Sequence, residues 1–312
     1  MVMKPFRFGV NAWSAGSRSE WTDKAQKAEG LGYSVFTVPD HIARIFAPMP
    51  ALMSAAAATK RLRVGTNVLN NDFRHPVLVA REAATADLLT DGRLQIGLGA
   101  GHMKSEYDEA GFRFDAGGAR VERLAEAVTI VKSLLKGEEV TFAGKYYRVT
   151  GHKIHPLPVQ RPHPPILIGG NGQQLLALAA KEANIVGLSG ITFRHGGGER
   201  DLSGWRTAGV DQRVQLVREA AGDRYELLEL NALVQTVLVT DNRRQAAEEL
   251  ARRWTQLSPA EILESPYVLI GTVDQQVEDL QARRERWGIS YYVIFEPYME
   301  TFAPVVAKLA GR

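Results

Sequence analysis

Residues 92–101 read GRLQIGLGAG, an apolar run closed by glycines at 97, 99 and 101, and what this run ends decides the fold. A dinucleotide-binding turn needs Gly-x-Gly-x-x-Gly, because its third glycine lets the following helix pack against the strand. Here the third glycine comes one residue early and is followed by His102, Met103 and Lys104. A dinucleotide fold also places the turn in its first βα unit, with an acidic residue ending a second strand about 20 positions on. The corresponding stretch, RVERLAEAVTIVKSLL (120–135), has the period of a helix instead. The run therefore reads as the C-terminal end of a different kind of strand. Either its glycines turn a corner, or their missing Cβ atoms let a flat ligand or a phosphate approach the backbone.

Working outward, short apolar strands alternate with amphipathic helices. FRFGVN (6–11) is followed by a helix over 19–32, SVFTVPDH (34–41) by an Ala-rich helix over 48–59, and RLRVGTNVL (61–69) by PVLVAREAATADLL (76–89). The last of these starts with proline, whose missing N–H costs nothing in a first turn. After the fourth strand, EVTFAGKYYRV (139–149) predicts a hairpin turning at Gly144, and a Pro-rich connector leads to PILIGGNG (165–172) as the fifth. A helix over 173–183, NIVGLSG (184–190), ELNALVQTVLVT (229–240), a helix over 242–256, PYVLIGT (266–272), a helix over 273–287 and SYYVIFE (290–296) with a terminal helix complete the pattern. The polar stretch ITFRHGGGERDLSGW (191–205) predicts a mobile loop over one end. No shift in composition marks a linker, so residues 1–312 are expected to form one domain, a (β/α)8 TIM barrel with insertions at its C-terminal face.

Composition narrows the function classes. The chain has 38 basic and 35 acidic residues spread along its length, a formal charge of +3, which argues against nucleic acid as a partner. It lacks an 18-residue apolar span, and MVMKPFRFGVN lacks the apolar region of a signal peptide, so a soluble, cytoplasmic protein with no membrane partner is expected. With no cysteine, disulfides, thiolate metal sites and cysteine nucleophiles are excluded.

In a barrel of this type the active site lies at the C-terminal strand ends. Strand two delivers Asp40 and His41 there, strand three Asn67, Asn70, Asn71 and Asp72, strand four His102, and strand five Gly169, Gly170 and Asn171. A histidine at position 41 can take or donate a proton near neutral pH, or serve only as a structural hydrogen-bonding group. Trp13 and Trp205 are candidates for lining a pocket or for plain packing. A metal-dependent barrel hydrolase would set His-x-His on strand one, and FRFGVNAWS contains no histidine, so no metal is expected.

The segments VPDH (38–41), RVGTNVLNNDFRHP (63–76), TDGRLQIGLGAGHMKSEYDEAGF (90–112) and PILIGGNG, in this order and spacing, resemble the bacterial luciferase-like superfamily over nearly the whole chain. The Asp40-His41 pair, the GAGH turn and PYVLIGT look most like the branch that uses the 5-deazaflavin coenzyme F420. The resemblance implies an oxidoreductase moving a hydride between F420 and a small organic substrate, with FMN and a monooxygenase reaction as the alternative, and a flavin-binding protein without turnover as a further one. It implies a ring lying across the barrel mouth, backed by a non-prolyl cis peptide at Asn67-Val68. It places Ala100, Gly101 and His102 against the ring or its ribityl chain, and Gly169, Gly170 and Asn171 at a helix N-terminus that favours a phosphate. His41, with Asp40 beside it, is implied as acid or base. His102 stands where deazaflavin sugar-phosphate dehydrogenases carry a glutamate proton donor, which leaves it as an acid or as a ring that stacks. Lys104, Arg74, Arg113 and Arg194 are candidates for a basic groove along an oligoglutamate tail. Pairing of subunits through the helices after strands two and three is implied, a homodimer.

Overall fold

The computed structural model describes residues 3–194, 196 and 198–312. Eight parallel strands close into a barrel: β1 (Arg7–Asn11), β2 (Val35–Val38), β3 (Arg63–Thr66), β4 (Leu94–Gly99), β5 (Ile166–Gly170), β6 (Ile185–Leu188), β7 (Glu229–Val234) and β8 (Ile289–Phe295). Each pairs with the next in parallel, and Arg7↔Tyr291 through Asn11↔Phe295 joins the last to the first. The expected (β/α)8 barrel is the observed fold.

Alternation along the strands builds two cores. Phe8, Val10, Phe36, Val64, Ile96, Ile168, Val186, Ala232 and Ile294 point outward into one apolar layer shared with the helices. Val35, Leu167, Ile185, Tyr291 and Val293 form a separate interior cluster with Val68 and Leu233 packed on it. A strand buried on both faces needs apolar residues at nearly every position, which is why these segments read as continuous apolar runs. Helices start where the sequence supplies caps: Ser17 accepts from the Glu20 amide ahead of Arg18–Gly30, and Pro48 and Pro76 open the next two.

Two expectations are corrected. PYVLIGT is not a barrel strand: ELNALVQTVLVT breaks at Gln235, and Thr236–Val239 leaves the barrel to pair in parallel with Val268–Gly271 in a separate two-stranded sheet. Helices Val273–Trp287 and Met299–Leu309 cover this sheet, so both segments are apolar without entering the barrel. The stretch 191–205, expected to be a mobile loop, contains an antiparallel hairpin, Thr192–Arg194 with Glu199–Asp201, followed by a 3₁₀ turn. His195 and Gly197 within it lie outside the described residues. The hairpin predicted at 139–149 is present as Val140–Ala143 and Arg148–His152.

The glycine run is explained by packing. A Cβ on Gly97 would overlap the Thr66 carbonyl oxygen and lie 3.0 Å from Val68 Cγ1, and one on Gly99 would lie 2.5 Å from Val68 Cγ2. Val68 follows a cis peptide bond at Asn67-Val68, and the chain then resumes pairing to β4 through Leu69 and Asn70. Beyond Gln95, the interior face of β4 therefore carries no side chain because β3 bulges into it. Replacing Gly97 by alanine should destabilise the fold by roughly 1–3 kcal/mol, the usual cost of overpacking a close-packed site. Gly117→Ala, where an added Cβ meets nothing within 4 Å, should leave stability unchanged; thermal unfolding of the two variants checks this, and an equal effect would contradict it.

Candidate active site

The strand ends deliver the expected side chains to one mouth, in two different states of engagement. Asp40, at the end of β2, is buried, with one carboxyl oxygen accepting from the Asn70 amide at 2.9 Å and both oxygens held by Arg74. It ties the end of β2 to the bulge of β3 and has little left for a ligand. His41, one residue on, keeps about a third of its side chain exposed. Its Nδ1 lies 2.8 Å from Oε1 of Glu106, a carboxyl that is itself buried.

The sequence reading did not single out Glu106. Its placement is built in steps. Gly101 adopts φ +73°, and a Cβ there would overlap the Tyr107 hydroxyl. That hydroxyl instead reaches Asn70 Oδ1 and Asp72 Oδ2, each at 3.0 Å, and so pins the short helix Lys104–Ala110 to the end of strand three. With Tyr107 turned to strand three, the preceding residue faces His41. A glutamate four positions after the strand-end histidine and next to a buried tyrosine is the signal that was available.

His102 meets the edge of His41 in a T-shaped contact, ring centroids 5.5 Å apart. On its other side Phe193, from the hairpin, lies 4.2 Å away and tilted by 32°. Burial, then the charge that His41 would carry when protonated, and the charges of Arg120 and Arg200, push the His102 pKa down to about 4. Neutral near physiological pH, His102 is suited to stacking or hydrogen bonding and not to acting as a cationic acid.

The turn Ala100-Gly101-His102 is fixed from below by Arg120, whose guanidinium donates to the Ala100 and Gly101 carbonyls at 3.1 and 3.4 Å. Asn67 sits at the bulge with its amide nitrogen buried and without a hydrogen-bond partner. Gly169 and Gly170 end β5, and the helix Gln173–Glu182 begins after Gly172 with no side-chain cap. Asn171 donates to Thr192 Oγ1 at 2.6 Å and accepts from Arg213, a half-buried cation that brings positive charge beside this helix N-terminus.

Other expectations are redirected. Arg74, Lys104, Arg113 and Arg194 are each ion-paired, to Asp40, Asp108, Asp115 and Asp201, so they do not form a row of free cations. Trp205 is buried between Trp254 and Tyr267 and anchors the segment after the hairpin. Trp13 stands half-buried at the mouth beside Phe295, centroids 5.4 Å apart. A cavity of about 650 Å³ lies at the opposite, N-terminal face, lined by Arg7, Arg63 and Glu229; it is far from the strand ends that carry the chemistry. Among the described residues no cluster of three or more histidine or acidic side chains could hold a metal, and no helix is long and apolar enough to cross a membrane.

Residues 1–291 match the model of the luciferase-like monooxygenase family, and the chain belongs to that family. It is thus an enzyme of the luciferase-like oxidoreductase type. Among curated relatives, an F420-dependent glucose-6-phosphate dehydrogenase from Nakamurella multipartita is 30% identical over 83% of this chain and 75% of its own length. One of the same name from Microbacterium testaceum is 35% identical over 57% of this chain, a match spanning 55% of that relative. Among solved structures, the coenzyme F420-dependent tetrahydromethanopterin reductase from Methanopyrus kandleri superposes over 98% of both chains with a TM-score of 0.77 at 18% identity, a likeness of fold.

His102 gives a pH prediction. Its folded pKa, about 4, lies below the ordinary 6.5, so the unfolded chain takes up the proton first as pH falls. Its contribution to stability is then complete above pH 6.5 and is lost as pH drops toward 4. In a histidine-resolved NMR titration the His102 ring should stay neutral down to about pH 5, and His102→Gln should flatten the decline of stability across that window. A midpoint near 6.5 would contradict the placement.

Proposed function

We propose that this protein is an F420-dependent oxidoreductase that transfers a hydride between the deazaflavin and a small organic substrate, with His41 carrying the accompanying proton. The observation that carries this reading is the buried, unpartnered amide nitrogen of Asn67 at a mouth whose curated relatives are named for F420. An orphaned buried donor costs about 1–3 kcal/mol unless something accepts from it, and a deazaflavin ring presents carbonyl acceptors along one edge.

Asn67 and Val68 would back the ring, and Ala100, Gly101 and His102 would hold its flank. Gly169, Gly170 and Asn171, at the start of Gln173–Glu182, would take the phosphate, with Arg213 adding charge to the free amides there. When bound, F420 supplies a carbon centre that accepts or donates a hydride and reacts poorly with oxygen. The protein's part is orientation and proton transfer. His41 Nε2, on the far side of the ring from Glu106, is free to take the proton of a substrate hydroxyl or return it to a carbonyl. Asp40 acts through position, by holding Arg74 and the Asn70 amide. We further propose that the protein works as a homodimer.

Apo-protein titrated separately with oxidised F420 and FMN, followed by fluorescence quenching, tests the assignment. F420 should bind at least about tenfold more tightly than FMN, a difference of roughly 1.4 kcal/mol. Asn67→Ala should weaken F420 by about three- to tenfold, the worth of one hydrogen bond. His41→Ala should bind it as the wild type does. Preference for FMN would move the chain to the monooxygenase reaction, the class of a 25% identical relative from Streptomyces nodosus, 4-hydroxyprotoasukamycin monooxygenase; binding of neither would end the cofactor assignment.

A further inference from the structure

We infer that Glu106 is the positioning residue of the site: its carboxyl fixes His41 as the Nδ1–H tautomer and so leaves the Nε2 lone pair free to receive a proton at the mouth. This rests on the proposed role of His41 as proton carrier, but the geometry behind it is independent of which cofactor binds.

The argument begins with hydrogen-bonding capacity. An ionised carboxyl only accepts, while neutral imidazole has one nitrogen that donates and one that accepts. Nδ1 lies 2.8 Å from Glu106 Oε1, so an ionised Glu106 places the proton on Nδ1, and a neutral ring then keeps its lone pair on Nε2. No other described contact competes for that nitrogen. His102 meets the His41 ring edge-on and is held neutral, and Asp40, the adjacent carboxyl, is fully engaged by Arg74 and the Asn70 amide.

Burial of Glu106 gives the contact its weight. A buried carboxyl without a partner is costly, and the His41 ring is the side chain that partners it. The Tyr107 hydroxyl, anchored on Asn70 and Asp72, holds the short helix so that Glu106 cannot swing away. The same logic operates in hydrolases where a buried carboxylate orients a histidine, and there replacement by an amide leaves the geometry in place but presents the wrong tautomer.

Three apo-proteins decide the matter: wild type, Glu106→Gln and Glu106→Ala. Long-range ¹H–¹⁵N correlation spectra assign the His41 tautomer, and mass spectrometry follows the rate of His41 carbethoxylation by diethyl pyrocarbonate, a probe that requires an unprotonated ring nitrogen. Wild type should show the Nδ1–H tautomer. Glu106→Gln, whose amide can donate to Nδ1, should move the proton to Nε2 and slow carbethoxylation at least about tenfold, because no free nitrogen then faces the mouth. Glu106→Ala should show a mixture of tautomers that added formate returns to Nδ1–H. A wild-type Nε2–H tautomer, or a Glu106→Gln spectrum and rate unchanged from wild type, would overturn the inference. The wild-type spectrum decides even if a variant folds poorly. F420 titration of the same samples separates this outcome from failure of the cofactor assignment, since His41 can be positioned by Glu106 in a protein that binds FMN.

Discussion

Val68 is the knob on which the mouth is built. Its methyls project from the bulge of strand three into a face kept free of side chains by Gly97 and Gly99, with Gly169 just beyond; Cβ atoms on these three would come within 3.0, 2.5 and 3.4 Å of them. Glycine is used here for close approach, since a side chain on β4 would have to displace backbone of β3. One sterically dictated contact therefore sets where strand three resumes at Leu69–Asn70, and with it the positions of Asn70, Asp72 and Arg74. Tyr107 reads that position through its hydroxyl, which lies 3.0 Å from both Asn70 Oδ1 and Asp72 Oδ2 and shares its one proton between them, and Glu106 and then His41 follow from Tyr107.

The charges are arranged around this frame so that one group is left to act. Asp40 and Asp72 are buried but paired, to Arg74 and Arg123. Such pairs contribute little net stability, yet removing one partner is expensive, so they fix geometry more than they add to it. His102 is kept neutral by burial and its neighbours. That leaves His41, partly exposed and held by a buried carboxyl, as the group we propose to carry the proton, and Asn67 as the donor with an unmet demand. The aromatic pair Trp13–Phe295 forms the wall where strands one and eight meet.

The fold was legible because each barrel strand carries its signal locally: a buried parallel strand is apolar throughout, and the loops between strands and helices carry Pro, Gly and Asp. The separate pair Thr236–Val239 and Val268–Gly271 escaped the same reasoning, because it is equally apolar and periodicity does not tell which sheet a strand joins. At the site, the strand-end residues were reached from the barrel pattern and the cis bond at Asn67-Val68 through family resemblance, and the structure has that bond. Glu106 and Arg213 were not reached, since their partners, His41 and Asn171, lie 65 and 42 residues away and no local pattern reports them. The glycines of β4 were visible, but their cause was not: what fills the space above them is Val68, a side chain of the neighbouring strand.

The central claim is that the bulge at Val68 and the histidine held by Glu106 together frame one face of a deazaflavin. A crystal structure of the protein with oxidised F420 tests it most directly. The account predicts the ring lying against Asn67 and Val68, with an edge carbonyl accepting from the Asn67 amide, and its phosphate at the start of Gln173–Glu182 beside Arg213. A ring bound elsewhere, or an Asn67 amide still without a partner in the complex, would contradict it.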